Sequence, residues 1–121
     1  MTLVDTSVWV EHFHLTDAAL MAELEAGTVL VHPLVIGELA CGVIRNRREV
    51  LALLAELPYA PSVGHTEVLA FLDARSLMGR GLGYVDVNLL ASATLLPGTR
   101  LWTRDKRLAS VAADLGLAWE R

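Results

Sequence analysis

Cysteine is almost absent from this 121-residue chain, which contains only Cys41. One cysteine excludes an intramolecular disulfide and a cysteine-rich zinc site. A chain without disulfides is typical of a reducing compartment, so we expect a cytoplasmic location. The four histidines have no zinc-ligand spacing with Cys41, and we expect His12 and His14 to be surface groups on a short extended segment.

No uninterrupted hydrophobic run is long enough to cross a membrane. The most apolar stretch, residues 29–43, is broken by His32, Pro33, Gly37 and Glu38, and it falls short of the ~20 apolar residues that a membrane-spanning helix needs. Internal repeats, low-complexity tracts and Ser/Gly linkers are missing as well. With 54% hydrophobic and 20% charged residues, the chain is predicted to form one domain over residues 1–121 with its own core.

Lysine and arginine are absent from residues 1–44, which contain six of the fourteen acidic residues. The rest of the chain has ten bases and eight acids, so the net charge of −4 arises in the first third. A sequence pI of about 5.5 argues against a protein that holds duplex nucleic acid by phosphate contacts alone. A metal-dependent nuclease remains compatible with this charge, because bound divalent cations reverse the local sign.

Short apolar segments alternate along the chain with helical patterns. Helices are predicted over residues 17–26 (with Thr16 as N-cap), 34–44, 48–57, 65–78, 85–96 and 106–115, and strands over residues 2–4, 28–32, 61–63, 100–103 and 117–119. The glycine-rich residues 79–83 are predicted to be a loop. This alternation predicts the α/β class, with a three-layer α/β/α sandwich and a mostly parallel central sheet.

Four acidic residues occupy positions that suggest a common site. Asp5 and Asp105 follow predicted strands, and the carboxyl ends of parallel strands form the ligand crevice of such sheets. Glu38 and Asp86 interrupt apolar helical segments, where burial of a lone carboxylate is costly. Because four converging carboxylates repel one another unless a cation lies between them, we predict a Mg²⁺ or Mn²⁺ site suited to phosphodiester hydrolysis.

Each of these acids also has a purely structural explanation. Asp86 and Asp105 precede helical patterns and could be plain N-caps, and Asp5 could form a side-chain turn. Glu38 could lie at a helix edge or pair with an arginine such as Arg45. The coincidence of all four favours the metal site over the separate explanations.

Four segments of the sequence resemble, in order, the four motifs of PIN-domain ribonucleases. These segments are LVDTSVWVEHF at 3–13, VIGELACG at 35–42, GRGLGYVDVNLLAS at 79–92 and LWTRDKRL at 101–108. The likeness spans almost the whole chain and is strongest to the VapC toxins of bacterial toxin–antitoxin pairs. The resemblance implies a Mg²⁺- or Mn²⁺-dependent endoribonuclease that acts on structured RNA such as tRNA or rRNA and is inhibited by a VapB antitoxin.

The resemblance also assigns roles to individual residues. It matches an acidic, metal-binding and catalytic quartet to Asp5, Glu38, Asp86 and Asp105. It matches supporting hydroxyl groups to Thr6 and Thr103. Many relatives have a further acid shortly after the last motif aspartate, where this chain has Lys106 and Arg107. Whether one ion or two bind is therefore left open.

Two arginines are expected to contact the RNA, namely Arg80 in the glycine-rich loop and Arg104 beside Asp105; the alternative is that both are solvated surface groups.

A mean hydropathy of +0.46 predicts exposed apolar surface that a homodimer and an antitoxin helix would cover. Two other functions fit the sequence less well. A phospho-receiver domain requires adjacent acids after its first strand and a Lys-Pro pair after its fifth, and this chain has neither. A non-catalytic PIN-like scaffold would not require the intact quartet that this chain has.

Overall fold

Three short apolar strands form the centre of the fold, namely β1 (Thr2–Val4), β2 (Val29–Leu30) and β3 (Arg100–Trp102). In the computed structural model, which describes residues 1–121, they pair in the order β2-β1-β3 and are all parallel. Leu3 is opposite Leu30 on one side and Leu101 on the other. All three of these leucines are buried, as expected for a parallel sheet covered on both faces.

Seven helices connect and cover these strands. They are α1 (Thr6–His14), α2 (Ala18–Ala26), α3 (Pro33–Cys41), α4 (Arg47–Ala55), α5 (His65–Ala74), α6 (Tyr84–Leu95) and α7 (Lys106–Asp114). Helix α3 packs against α1 and α4, α5 packs against α6, and both α6 and α7 contact β3. The predicted α/β sandwich with a parallel sheet is confirmed, and the buried hydrophobic side chains form one cluster of 22 residues. None of the helices is both long enough and apolar enough to span a membrane.

The segment directly after β1 differs from the prediction. Residues 6–14 form helix α1, so the expected extended segment carrying His12 and His14 is wrong. Asp5 caps this helix, because its side chain accepts a hydrogen bond from the Ser7 amide. Trp9, at 2% exposure, buries a large apolar area in the core. The cap and one buried face stabilise a helix whose sequence has no clear amphipathic period.

Helix α2 begins one residue later than predicted. Its N-cap is Asp17 rather than Thr16, because Asp17 Oδ1 accepts the amides of Ala19 at 2.9 Å and Leu20 at 3.1 Å. A carboxylate that accepts two of the unpaired amides of the first turn is an effective cap. The predicted stop at Gly27 is confirmed by its left-handed backbone, with φ of 72°.

Two predicted helices end three or four residues earlier in the structure. The helix predicted over residues 34–44 ends at Cys41, and Gly42 is extended. The helix predicted over residues 65–78 ends at Ala74, and the chain then turns through Ser76, with φ of 52°. The apolar residues beyond both ends continued the periodic pattern but belong to the following turns.

The outer strands are shorter than predicted. The strand predicted over residues 61–63 is absent, and Tyr59 instead forms a single parallel bridge with Val31. The Ala60 amide donates to the Val31 carbonyl at 2.8 Å, and Pro61, which has no amide hydrogen, cannot extend this ladder. The strand predicted over residues 117–119 is reduced to one bridge at Ala118.

Candidate active site

The ends of β1 and β3 bring two of the predicted acids to one edge of the sheet. Asp5 directly follows β1, and its amide donates to the Trp102 carbonyl at 2.9 Å. Asp105 lies three residues beyond Trp102 and caps α7. The chain leaves β1 for β2 on one side of the sheet and returns in β3 on the other. This edge is therefore the topological switch point, where open parallel sheets bind their ligands.

Two hydroxyl groups hold the Asp5 carboxylate. Thr103 Oγ1 donates to Asp5 Oδ2 at 2.7 Å and Ser7 Oγ donates to the same oxygen at 2.6 Å. Asp5 is only 6% exposed, so these bonds replace the water that a free carboxylate would have. The same hydroxyls also accept the amides of the next loop, Arg104 to Ser7 Oγ at 2.9 Å and Asp105 to Thr103 Oγ1 at 3.0 Å.

Ser7 is a site residue that was not predicted. Its hydroxyl bonds link the turn after β1 to the turn after β3, 97 residues further along the chain. The available sequence signal was a hydroxyl group two residues after Asp5, in the first turn of the helix that Asp5 caps. Thr103, in contrast, is among the predicted supporting residues, and the structure places its hydroxyl between Asp5 Oδ2 and the Asp105 amide.

Glu38 is connected to the other acids through α1. Thr6 Oγ1 donates to Glu38 Oε1 at 2.6 Å, so the first turn of α1 orients a side chain of α3. Glu38 was expected in a buried segment, but it is exposed, because α3 buries only the face that carries Val35 and Leu39. No lysine or arginine lies within ion-pair distance of Glu38, so the alternative pairing with Arg45 is not formed.

Asp86 lies in the first turn of α6, where its Oδ2 accepts the Gly83 amide at 2.8 Å. Burial raises the pKa of this carboxyl group, and the negative charges of Asp5, Asp105 and Glu38 raise it further. The Gly83 hydrogen bond acts in the opposite direction but does not cancel the rise. The charges of Asp5, Asp105 and Glu38 thus act on the Asp86 carboxyl group, and like charges of this kind disfavour its ionised form.

Asp105 is also an N-cap, which is the alternative role predicted for this residue from the sequence. Its Oδ1 accepts the amides of Arg107 at 2.8 Å and Leu108 at 3.1 Å. Capping uses only one of the two carboxylate oxygens. The capping role of Asp105 and a ligand role are therefore compatible.

In each of the four acids, one carboxylate oxygen accepts hydrogen bonds and the other accepts none. The oxygens that accept no hydrogen bond are Asp5 Oδ1, Glu38 Oε2, Asp86 Oδ1 and Asp105 Oδ2. None of the four residues forms a salt bridge. Carboxylate oxygens that repel one another fit a hard divalent cation such as Mg²⁺ or Mn²⁺. As they stand, no three of these side chains are close enough to hold an ion.

The two arginines expected to contact RNA are both paired with carboxylates. Arg104 Nε lies 3.0 Å from Glu11 Oε2, and Arg104 Nη2 lies 2.9 Å from Asp17 Oδ2. Arg80 Nη2 lies 2.9 Å from Asp114 Oδ2. Both guanidinium groups are partly exposed. Each would have to exchange a carboxylate for a phosphate in order to bind RNA.

Comparisons with known proteins agree with the motifs and the geometry. The model of the PIN domain family matches residues 2–114. The chain is 54% identical over 118 residues to Ribonuclease VapC32 of Mycobacterium tuberculosis (strain CDC 1551 / Oshkosh), covering 98% of this chain and 95% of that protein. The same figures hold for Ribonuclease VapC32 of the strain ATCC 25618 / H37Rv. The chain therefore belongs to the PIN-domain family and is of the VapC type.

Proposed function

We propose that this protein is a metal-dependent endoribonuclease toxin that hydrolyses phosphodiester bonds in structured RNA such as tRNA or rRNA. The observation that supports the proposal is that Asp5 and Asp105 follow neighbouring parallel strands and that their charges, with that of Glu38, act on Asp86. Each of the four acids has a free oxygen, and none has a cationic partner. The ribonuclease name of the two similar VapC proteins supports the same activity. We place the activity in the cytoplasm, where the single cysteine stays reduced.

The proposed metal ligands are Asp5, Glu38, Asp86 and Asp105. A divalent cation at such a site lowers the pKa of water and neutralises charge on the phosphate oxygens. The chain itself keeps the acids oriented, because Thr103 and Ser7 fix Asp5 and Thr6 fixes Glu38. These hydrogen bonds leave the second oxygen of each acid available, which is the arrangement that a supporting shell around a metal site provides.

The reaction is a hydrolysis in which the bonds balance without any further reactant. The oxygen of water forms a bond to phosphorus, and the bond from phosphorus to one ester oxygen breaks. The departing oxygen takes up a proton, and the other proton of water is released from the new phosphate. Arg80 and Arg104 are the proposed RNA contacts; on binding, Arg80 would release Asp114, and Arg104 would release Glu11 and Asp17.

The experiment that tests the activity uses the purified protein, freed of any partner, with tRNA or rRNA. Cleavage is expected with Mg²⁺ or Mn²⁺, no cleavage in EDTA, and none for Asp5→Asn, which keeps the shape of the side chain but removes the charge. Asp73→Asn, an exposed acid on α5, is the matched control and should cleave normally. Full activity in EDTA would contradict the proposal, and a folded protein that binds RNA without ever cutting it would favour the non-catalytic scaffold.

The proposed partners are a VapB-type antitoxin and a second copy of the chain. An apolar groove of about 560 Å³ lies between α1, α2 and α4, and Leu53 on its edge is 65% exposed. Such a groove suits the apolar face of an antitoxin helix. It is lined by residues that include Trp9, Phe13, Leu24, Val50, Leu53 and Leu57. A clean monomer by light scattering, together with no gain in solubility on adding the antitoxin, would contradict both partners.

A further inference from the structure

Two basic residues beside the acidic site, Lys106 and Arg107, have no carboxylate partner. Arg80 and Arg104 are both in salt bridges, whereas the guanidinium of Arg107 forms none. Arg107 is exposed and lies in the first turn of α7. Its amide donates to Asp105 Oδ1 at 2.8 Å, which places its backbone next to a proposed metal ligand. Its charge is therefore available to an anion without the loss of an existing ion pair.

Gly81 provides the space in which the Arg107 side chain lies. A Cβ atom on Gly81 would be 2.7 Å from Arg107 Cδ and 3.2 Å from both Nε and Nη1. Any larger residue at position 81 would displace this side chain. Arg107 thus packs against the backbone of the glycine-rich loop 79–83, directly before α6 and Asp86. The side chain spans the gap between the loop that leads to Asp86 and the turn that holds Asp105.

We propose that Arg107, seated against Gly81, binds a phosphate group of the RNA next to the carboxylate site. A guanidinium group can donate two parallel hydrogen bonds to phosphate oxygens. Four carboxylates repel a phosphate, and a cation held at their rim reduces that repulsion. This inference rests on the proposed ribonuclease function and adds to it an arginine that can bind a phosphate without giving up a salt bridge.

The first test measures the affinity for a single-stranded RNA in Ca²⁺, which is used to support binding without cleavage. Arg107→Gln should raise the Kd at least about tenfold, because a charge-assisted contact is lost. The slope of log affinity against log salt should become shallower by about 0.7, the value for one phosphate contact on a single strand. Arg107→Lys should keep the salt slope and recover part of the affinity. Arg75→Gln is the matched control, because Arg75 is another exposed arginine without a salt bridge.

The second test uses two glycines of the same loop. Gly79 and Gly81 have φ angles of 75° and 80°, so alanine imposes similar backbone strain at either position. Only the Gly81 position contacts Arg107, since a Cβ on Gly79 has no atom within 4 Å. Gly81→Ala should weaken RNA binding as Arg107→Gln does, and Gly79→Ala should not. The double variant Gly81→Ala/Arg107→Gln should be no weaker than Arg107→Gln alone.

The outcomes separate this inference from the function on which it rests. Unchanged affinity and salt slope for Arg107→Gln would overturn the inference, and so would equal losses for Gly79→Ala and Gly81→Ala. If Asp86→Asn still abolishes cleavage in that case, the ribonuclease function stands without Arg107. Full cleavage by Asp86→Asn would instead contradict the ribonuclease site itself. Thermal unfolding of each variant shows that the compared proteins are folded.

Discussion

Asp17 and Asp86 are both acids at the start of a helix, and they have opposite electrostatic surroundings. Each accepts a backbone amide near its helix N-terminus. Burial acts to raise the pKa of Asp17, but the hydrogen bond and charge of Arg121, together with the amides of Leu20 and Ala19, lower it overall. The pKa of Asp86 is raised by burial and by three neighbouring acids. Cationic partners are what distinguish the two carboxylates.

The comparison separates an acid whose charge is compensated within the chain from a proposed metal ligand whose charge is not. Asp17 Oδ2 lies 2.9 Å from Arg104 and 2.8 Å from Arg121. The Arg121 guanidinium in turn lies near the rings of Trp102 and Trp119, which are stacked at 3.7 Å. The charge of Asp17 is thus compensated within the chain. No salt bridge compensates the charges of the four proposed metal ligands, Asp5, Glu38, Asp86 and Asp105.

The largest expected effect is the difference between Asp86→Asn and Asp17→Asn, which make the same substitution in the two surroundings. Asp86→Asn should reduce metal-dependent RNA cleavage by at least about 100-fold, because a charge that stabilises the reacting centre is lost. It should also increase the free energy of unfolding, because a repelled and partly buried charge is removed. Asp17→Asn should keep metal-dependent cleavage and lower the free energy of unfolding. Cleavage assays and urea unfolding of both variants decide this, and the same direction of change in both would break the comparison.

A hydroxyl group that orients a site acid should matter less than the acid itself. Thr103→Val removes the hydrogen bond to Asp5 and leaves the Asp105 amide without its acceptor. We expect about a 10- to 100-fold loss of metal affinity or activity, the range for residues that orient metal ligands. Isothermal titration with Mn²⁺ and cleavage rates measure the two effects. Thr94→Val, which removes a hydroxyl bonded only within α6, is the control and should change neither.

The contribution of Asp17 to stability can be divided into its cap and its ion pairs. Asp17→Ala removes both and should lower the free energy of unfolding by about 1–2 kcal/mol. Asp17→Asn keeps a capping oxygen and loses only the ion pairs, so its cost should stay below about 1 kcal/mol. Urea unfolding at low and high salt measures both values. Equal costs for the two variants would show that the cap contributes nothing.

The pKa of His32 is shifted by burial and not by neighbouring charges. We expect the resulting change in stability to be the smallest of the predicted effects. His32 is 4% exposed, its Nδ1 accepts the Leu34 amide at 3.0 Å, and burial lowers its pKa from 6.5. Below pH 6.5 the unfolded chain takes up a proton that the folded chain does not. Stability should therefore fall as the pH decreases through 6.5 towards the lower folded pKa.

The measurement for His32 is unfolding by urea between pH 5 and pH 8. His32→Asn keeps a side chain that caps helices well but does not titrate. Its stability should change less with pH below 6.5, even if its absolute stability is lower because the core is repacked. An identical slope in the two proteins would assign the pH dependence to other groups.

The element order and the positions of the acids were accessible from the sequence, because they depend on local patterns. The apolar pairs Leu3–Val4 and Leu101–Trp102 indicate buried strands, and the polar residue directly after each pair marks the carboxyl edge of the sheet. The stop at Gly27 needs only a residue that tolerates positive φ. The order of the motifs then predicted that the four acids form one site.

The prediction failed where the outcome depended on contacts between distant segments. Helix α1 is stabilised by the burial of Trp9 in the core, and the pairing of Val31 with Tyr59 is limited by Pro61. The spacing of apolar residues does not show which distant segments a helix or strand will contact, so these elements were misassigned.

The sequence by itself determined the α/β class, and it predicted the four acids and the hydroxyl groups of Thr6 and Thr103 but not that of Ser7, since strand ends and motif spacings are local. Only the tertiary structure decided which charges find a partner. The Thr103 hydroxyl reaches Asp5 across 98 residues, and Arg104 reaches Asp17 across 87. Whether an arginine is paired with a carboxylate or left available, as Arg107 is, depends on distances of a few ångströms between separate elements. Electrostatic interactions depend on those distances, and spacing along the chain does not specify them.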